Sequence, residues 1–157
     1  QSFTLTVKLS GRSIFFQVYR EERVFSSMSS LPGHITSSLV LLFSDHAWVY
    51  FYMGPRYKQV VRKVQGDDMQ PRLQYALLSY ACMLLPLNVI TVPLIRSWSD
   101  VFRYGSVMGF SIYSIYNGTN ATIFKNFYVK NALVDTLWGT FVYTLAGAVA
   151  LIVVLLQ

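Results

Sequence analysis

From Asn131 to Leu156 the chain carries a single charged side chain, Asp135, and it closes on the wholly apolar run Ala148-Val149-Ala150-Leu151-Ile152-Val153-Val154-Leu155-Leu156. A helix of that length, rising 1.5 Å per residue, exceeds the roughly 30 Å hydrocarbon thickness of a bilayer. Three further stretches are nearly as poor in charge. The 13 Lys and Arg collect in four places: Lys8, Arg12, Arg20 and Arg23; Arg56, Lys58, Arg62, Lys63 and Arg72; Arg96 and Arg103; Lys125 and Lys130. The gaps predict four transmembrane helices, at about 35–53, 73–95, 105–123 and 131–156. Only 13% of the residues are charged, about half of what a soluble domain carries. The 11 Phe, 11 Tyr and 3 Trp exclude intrinsic disorder, and the lone Cys82 excludes a disulfide scaffold.

The first helix is expected to stop at Gly54-Pro55-Arg56. Pro86 and Pro93 predict kinks in the second, since membrane helices tolerate proline where neighbours re-satisfy the freed carbonyls. Asn117-Gly118-Thr119-Asn120 is expected to interrupt the third. Ahead of the helices, Phe3, Leu5, Val7 and Leu9 alternate with polar residues, Ser10-Gly11-Arg12-Ser13 offers a turn, and Ile14, Phe16 and Val18 resume the period of two. This reads as a β-hairpin outside the membrane that rests one face on another surface, because an isolated hairpin is marginal in water. The expected fold is an all-α membrane protein, an up-down bundle of four transmembrane helices with a short N-terminal β-hairpin-like arm. Residues 1–33 form the arm and a Ser-rich linker, and 34–157 the membrane domain.

Two acids fall inside predicted helices, and they sit in matching settings: Asp45-His46-Ala47-Trp48 and Asp135-Thr136-Leu137-Trp138. A spacing of three places acid and indole on one helical face. A carboxylate at membrane depth must face the bundle interior and find donors, and a buried indole N–H must find an acceptor. Counted from the membrane face reached after Met53, Asp45 lies about 12 Å deep and Asp135 about 6 Å deep. Asn117, Thr119 and Asn120 approach the same face. These positions predict one polar cluster of Asp45, Trp48, Asn117, Thr119, Asn120, Asp135 and Trp138. Tyr75, Tyr80 and Tyr116 are further hydroxyl candidates, with Arg56, Lys58, Lys125 and Lys130 at the mouth. The cluster reads either as interhelical glue or as a site for a cation, a proton or a polar headgroup.

Asp45-x-x-Trp48 with Tyr57 downstream, Gly109-Phe110 through Tyr113, Tyr116-Asn117-Gly118-Thr119-Asn120-Ala121-Thr122 and Val134-Asp135-Thr136-Leu137-Trp138-Gly139-Thr140 together resemble the small predicted membrane proteins of domain of unknown function family 2177. The likeness spans about Ile35 to Gly147. Asn117 stands where the family has Asp, which removes one acid and suits hydrogen-bonded packing more than ion binding. The resemblance implies a four-helix membrane protein and no assigned activity.

Other signals point away from chemistry. Asn117-Gly118-Thr119 and Asn120-Ala121-Thr122 match the N-glycosylation pattern but fall too close to the membrane for glycan transfer. His34 and His46 lack the neighbours of a zinc site, and Cys82 reads as a small apolar residue. Catalytic, cofactor-binding and metal motifs are absent. Gly105 with Gly109 and Ala146 with Ala150 permit close helix approach, as does Gly139 in the family pattern. Aromatic residues about Trp48 to Tyr57, and Trp98, Phe102 and Tyr104, read as interfacial belts. The net charge of +6 is spread over several loops, which fits lipid headgroups and not nucleic acid. The face bearing Arg56 to Arg72, Lys125 and Lys130 is expected to be the cytoplasmic equivalent.

The functional expectation is a non-enzymatic, multi-pass structural or scaffolding component of a membrane-associated assembly, such as a membrane-containing virus particle or an organelle complex. Its partners would be the bilayer and protein subunits met through the arm and the basic loops. The alternatives are a small transporter or proton or cation relay using Asp45 and Asp135, and a lipid-binding or lipid-modifying protein.

Overall fold

The computed structural model describes residues 3–9, 12–18, 31–125 and 127–157, the first two as backbone. β1 (Phe3–Leu9) and β2 (Arg12–Val18) pair antiparallel, from Phe3 opposite Val18 to Leu9 opposite Arg12. The helices are α1 (Leu31–Trp48), α2 (Gly54–Gln65), α3 (Leu73–Pro86), α4 (Val92–Leu94), α5 (Trp98–Asp100), α6 (Ser106–Ile123) and α7 (Val129–Leu155). Three π-helical turns, Val49–Met53, Leu87–Thr91 and Val101–Gly105, join α1 to α2, α3 to α4 and α5 to α6. The helices therefore form four continuous rods.

Packing follows a repeat of four. α1 buries Gly33, Ser37, Leu41 and Asp45. The third rod buries Gly105, Gly109, Tyr113 and Asn117. α7 buries Asp135, Gly139, Val142, Tyr143, Ala146 and Ala150, and it packs chiefly against α1 and α6. Rows of residues four apart are the ridges by which helices interlock, and small residues let the backbones close up. A Cβ on Gly109 would run into the Gly139 carbonyl, and one on Gly139 into the Tyr113 ring. Leu41, Leu87, Val92, Tyr113, Val142, Tyr143, Ala146 and Ala150 make the apolar core. α3 has no buried residue along its length.

The fold expected from sequence is corrected in several respects. Among the described residues two helices, not four, are long and apolar enough to cross a membrane: Leu73–Leu94, with mean hydropathy 1.8, and Val129–Leu155, with 2.0. α1 contains Asp45, His34 and His46, and α6 contains Asn117, Thr119 and Asn120, polar residues that lower the hydropathy of both helices. The all-α description holds for the bundle, but the β-hairpin-like arm is not supported as a part of it. No helix packs extensively on the paired strands, and Arg12 and Ser13, expected in the turn, stand in β2. Residues 31–33, expected in the linker, open α1, while 19–30 lie outside the described residues.

The first helix does not stop at Gly54-Pro55-Arg56. It passes through the π turn into α2 and ends at Gly66, which takes φ 79° and donates to the Arg62 carbonyl at 3.0 Å, the left-handed stop that glycine adopts most easily. Pro55 is tolerated because it stands at the first turn of α2, directly after the π turn, where its missing N–H and bulky ring meet fewer demands. Pro93 stands likewise after Leu87–Thr91. The third helix runs unbroken through Asn117-Gly118-Thr119-Asn120.

The close approach at Gly139 and the open space at Gly118 make opposite predictions. Gly139→Ala is expected to lower stability by about 1–3 kcal/mol through overpacking. Gly118→Ala, whose Cβ would meet nothing within 4 Å, is expected to raise it by about 0.5–1 kcal/mol through helix propensity. Unfolding in detergent by denaturant titration, followed by circular dichroism, measures both.

Candidate functional site

α1 and α7 exchange their two acids and two indoles. Trp48 Nε1 donates to Asp135 Oδ1 at 2.9 Å, and Trp138 Nε1 donates to Asp45 Oδ1 at 3.4 Å. The partners are crossed because the helices run antiparallel: residue 45 lies level with 138, and 48 with 135. Between the two hydrogen bonds the indoles stack, 4.5 Å apart and 7° from parallel, a geometry that adds about 0.5–1.5 kcal/mol to area burial alone.

α6 closes the site from a second side. The Tyr113 hydroxyl donates to Asp45. One turn on, Asn117 Nδ2 donates to Asp135 Oδ2 and to the Tyr113 carbonyl, each at 3.0 Å. α2 supplies Tyr57, whose hydroxyl stands 3.5 Å from both Asn117 Oδ1 and Asp135 Oδ2. Burial, then the neighbouring Tyr116 and Asp135, push the Tyr57 hydroxyl above the usual phenol value, so it stays protonated and donates. Both carboxylates are only 4% exposed and are met by phenol, indole and amide donors. A buried acid without a cation needs such a set, because removing it from water costs several kcal/mol.

The structure thus brings together Asp45, Trp48, Asn117, Asp135 and Trp138. It does not bring in Thr119, which is exposed, or Asn120, which is half-buried and uses its carbonyl to accept from the Phe124 N–H at 2.9 Å. Thr119, two residues from Asn117, stands on the opposite side of α6, and Asn120, three residues on, stands at the edge of the face that carries Asn117. Of the hydroxyl candidates, Tyr75 is exposed on α3, Tyr80 lies near enough to Asp45 to interact with it, and Tyr116 packs edge-on against Tyr57. Trp48 belongs to the clasp. Gly105, Gly109, Gly139, Ala146 and Ala150 all lie buried along the α7 contacts.

Tyr113 and Tyr57 stand in the stretches that carry the family resemblance but were not expected in the polar cluster. The first was legible as the middle of the Gly109, Tyr113, Asn117 row; the second was hidden because the helix was expected to end before it. A second polar network was missed as well. His34 Nδ1 lies 2.8 Å from Asn88 Oδ1, and Asn88 Nδ2 donates to Ser38 Oγ and the Leu84 carbonyl, each at 2.9 Å. It ties α1 to the π turn after α3. Among the described residues no three His, Cys, Asp or Glu gather as a metal site.

Among the described residues two helices are long and apolar enough to cross a membrane, and one of them, α7, shares a buried polar clasp with α1 and α6. The chain belongs to the family described as predicted membrane protein (DUF2177), which matches residues 33–152. No curated protein and no solved structure matches it.

Asp135→Asn keeps a side chain that accepts hydrogen bonds, whereas Asp135→Ala leaves the Trp48, Asn117 and Tyr57 donors without an acceptor. Each orphaned buried donor costs about 1–3 kcal/mol. Asp135→Ala is therefore expected to destabilise by at least about 2 kcal/mol more than Asp135→Asn, measured by the same unfolding titration.

Proposed function

We propose that the chain is a non-enzymatic structural membrane protein, crossing the bilayer more than once, whose buried acids serve as an interhelical clasp. In this reading it is a scaffolding component of a membrane-associated assembly, an organelle complex or a membrane-containing particle, and it meets protein subunits through its basic loops and N-terminal residues. One observation carries the reading: Asp45 and Asp135 are each enclosed by donors from other helices, and neither lines the groove beside Arg56 and Lys130 or the one beside His34 and Asn88. A proton or ion relay needs its carboxylate open to a path, and a hydrolytic site needs room for substrate and water. α3, with its apolar side chains exposed along its length, is the surface that lipid or a neighbouring subunit would cover.

The test is reconstitution of the full chain and of the double variant Asp45→Asn/Asp135→Asn into liposomes loaded with a pH-sensitive dye. The expected outcome is proton leakage equal to that of empty liposomes for both proteins, with a lower unfolding midpoint for the variant. A flux carried by the natural chain and lost in a folded variant would overturn the clasp reading in favour of a relay.

A further inference from the structure

Apart from the clasp, an open groove of about 460 Å³ lies between α2 and the start of α7, lined by Pro55, Arg56, Gln59, Tyr128, Lys130 and Asn131. Two of these residues are cations and none is an acid. Its volume falls within the range of sites that hold small ligands. Its position is set by α7, one of the two apolar helices of membrane-crossing length, which begins at Val129, so the groove opens at the level where that span would leave the hydrocarbon.

Arg56 is held, not loose. Its Nη1 donates to the Tyr52 carbonyl at 2.6 Å, and its guanidinium carbon sits 3.6 Å above the Tyr52 ring. Tyr52 in turn stacks on Trp48 at 4.3 Å, and Trp48 on Trp138. One column of rings, anchored in the clasp, thus carries a planar cation at its outer end. With one of its five N–H donors used, the guanidinium keeps the fork that fits a phosphate. On the opposite wall Lys63 donates to the Tyr128 hydroxyl, which fixes that phenol and leaves its own proton to give. Lys130, Gln59 and Asn131 add an ammonium and two amides. Every polar side chain of the groove can donate, and the acid nearest in sequence, Asp135, is already committed to donors in the clasp.

We propose that this groove binds a phosphate-bearing anion, with Arg56 and Lys130 as the charged contacts and Tyr128, Gln59 and Asn131 as neutral donors. The phosphate belongs either to the headgroup of an anionic phospholipid or to a soluble phosphate ester. Because the groove shares no wall with Asp45 or Asp135, the assignment does not depend on the scaffolding reading.

Native mass spectrometry of the full chain, extracted in detergent with equal amounts of phosphatidylglycerol and phosphatidylcholine, tests it. The natural chain is expected to retain phosphatidylglycerol about fivefold or more in preference. If the phosphate is a lipid headgroup, Arg56→Gln/Lys130→Gln is expected to retain the two lipids about equally, whereas Lys58→Gln/Lys125→Gln, which removes two cations outside the groove, keeps the preference. A second measurement needs no variant: acylation of Lys130 by a water-soluble reagent in vesicles, read against Lys58 in the same molecule. Selective protection by phosphatidylglycerol supports the proposal with a lipid source. Selective protection by glycerol phosphate in phosphatidylcholine vesicles, with none from phosphatidylglycerol, supports it with a soluble source. Equal losses of retained phosphatidylglycerol in both double variants overturn it, as does the absence of selective protection of Lys130 by either anion.

Discussion

A carboxylate taken out of water must be met by donors, and when it sits on a helix among helices those donors come from its neighbours. This constraint organises the present structure. Asp45 and Asp135 lie on antiparallel helices, each three residues from an indole, and the antiparallel arrangement places each acid beside the other helix's tryptophan. A slip of one residue along α7 would rotate both groups off the contact face, leaving two acids and two indoles unpaired. The exchange therefore fixes register and direction between α1 and α7, a role for buried polar groups that apolar packing alone performs poorly. α6 is held to the same pair by Tyr113 and Asn117.

The close approach that this exchange needs is provided elsewhere in the chain. Gly109 and Gly139 bring the α6 and α7 backbones together, and Gly139 leaves the space in which the Tyr113 ring lies. From that space the Tyr113 hydroxyl reaches Asp45. The π turns serve the same end from the other side. Val49–Met53 lets one rod pass Gly54 and Pro55 without breaking, so that α2 continues past the clasp and sets Tyr57 over Asp135 and Arg56 beside the groove. At the opposite end the π turn Leu87–Thr91 presents Asn88 to His34 and Ser38. Two polar ties, one toward each end of α1, thus bracket an apolar middle of Leu41, Val142 and Ala146.

Much of this was legible in the sequence. The charge gaps located four helical rods, and the repeated acid and indole at a spacing of three pointed to a shared cluster, because polar residues in an apolar helix can satisfy their demands only by facing inward. Less could be read where local signals conflict with tertiary context. Gly54-Pro55 is an ordinary stop signal, and nothing in its residue types reports that a π turn just before it relieves the proline. Asn117, Thr119 and Asn120 look equivalent in a string of polar residues, yet of the three only Asn117 is buried. Their polarity also lowered the hydropathy of α6, so its length matched a membrane span while its composition did not. His34, Ser38 and Asn88 form a network between residues 50 or more positions apart, and no spacing rule links them. The family match adds that the chain belongs among predicted membrane proteins and leaves the task of the clasp to physical argument.

The most direct measurement of the crossed exchange is a set of double-mutant cycles in detergent-solubilised protein, combining Asp45→Asn and Asp135→Asn with Trp48→Phe and Trp138→Phe. The crossed pairs, Asp45 with Trp138 and Asp135 with Trp48, are predicted to show coupling of about 1 kcal/mol. The pairs within one helix, Asp45 with Trp48 and Asp135 with Trp138, are predicted to add within about 0.5 kcal/mol. Coupling confined to the pairs within one helix, or strict additivity in all four, would contradict the account.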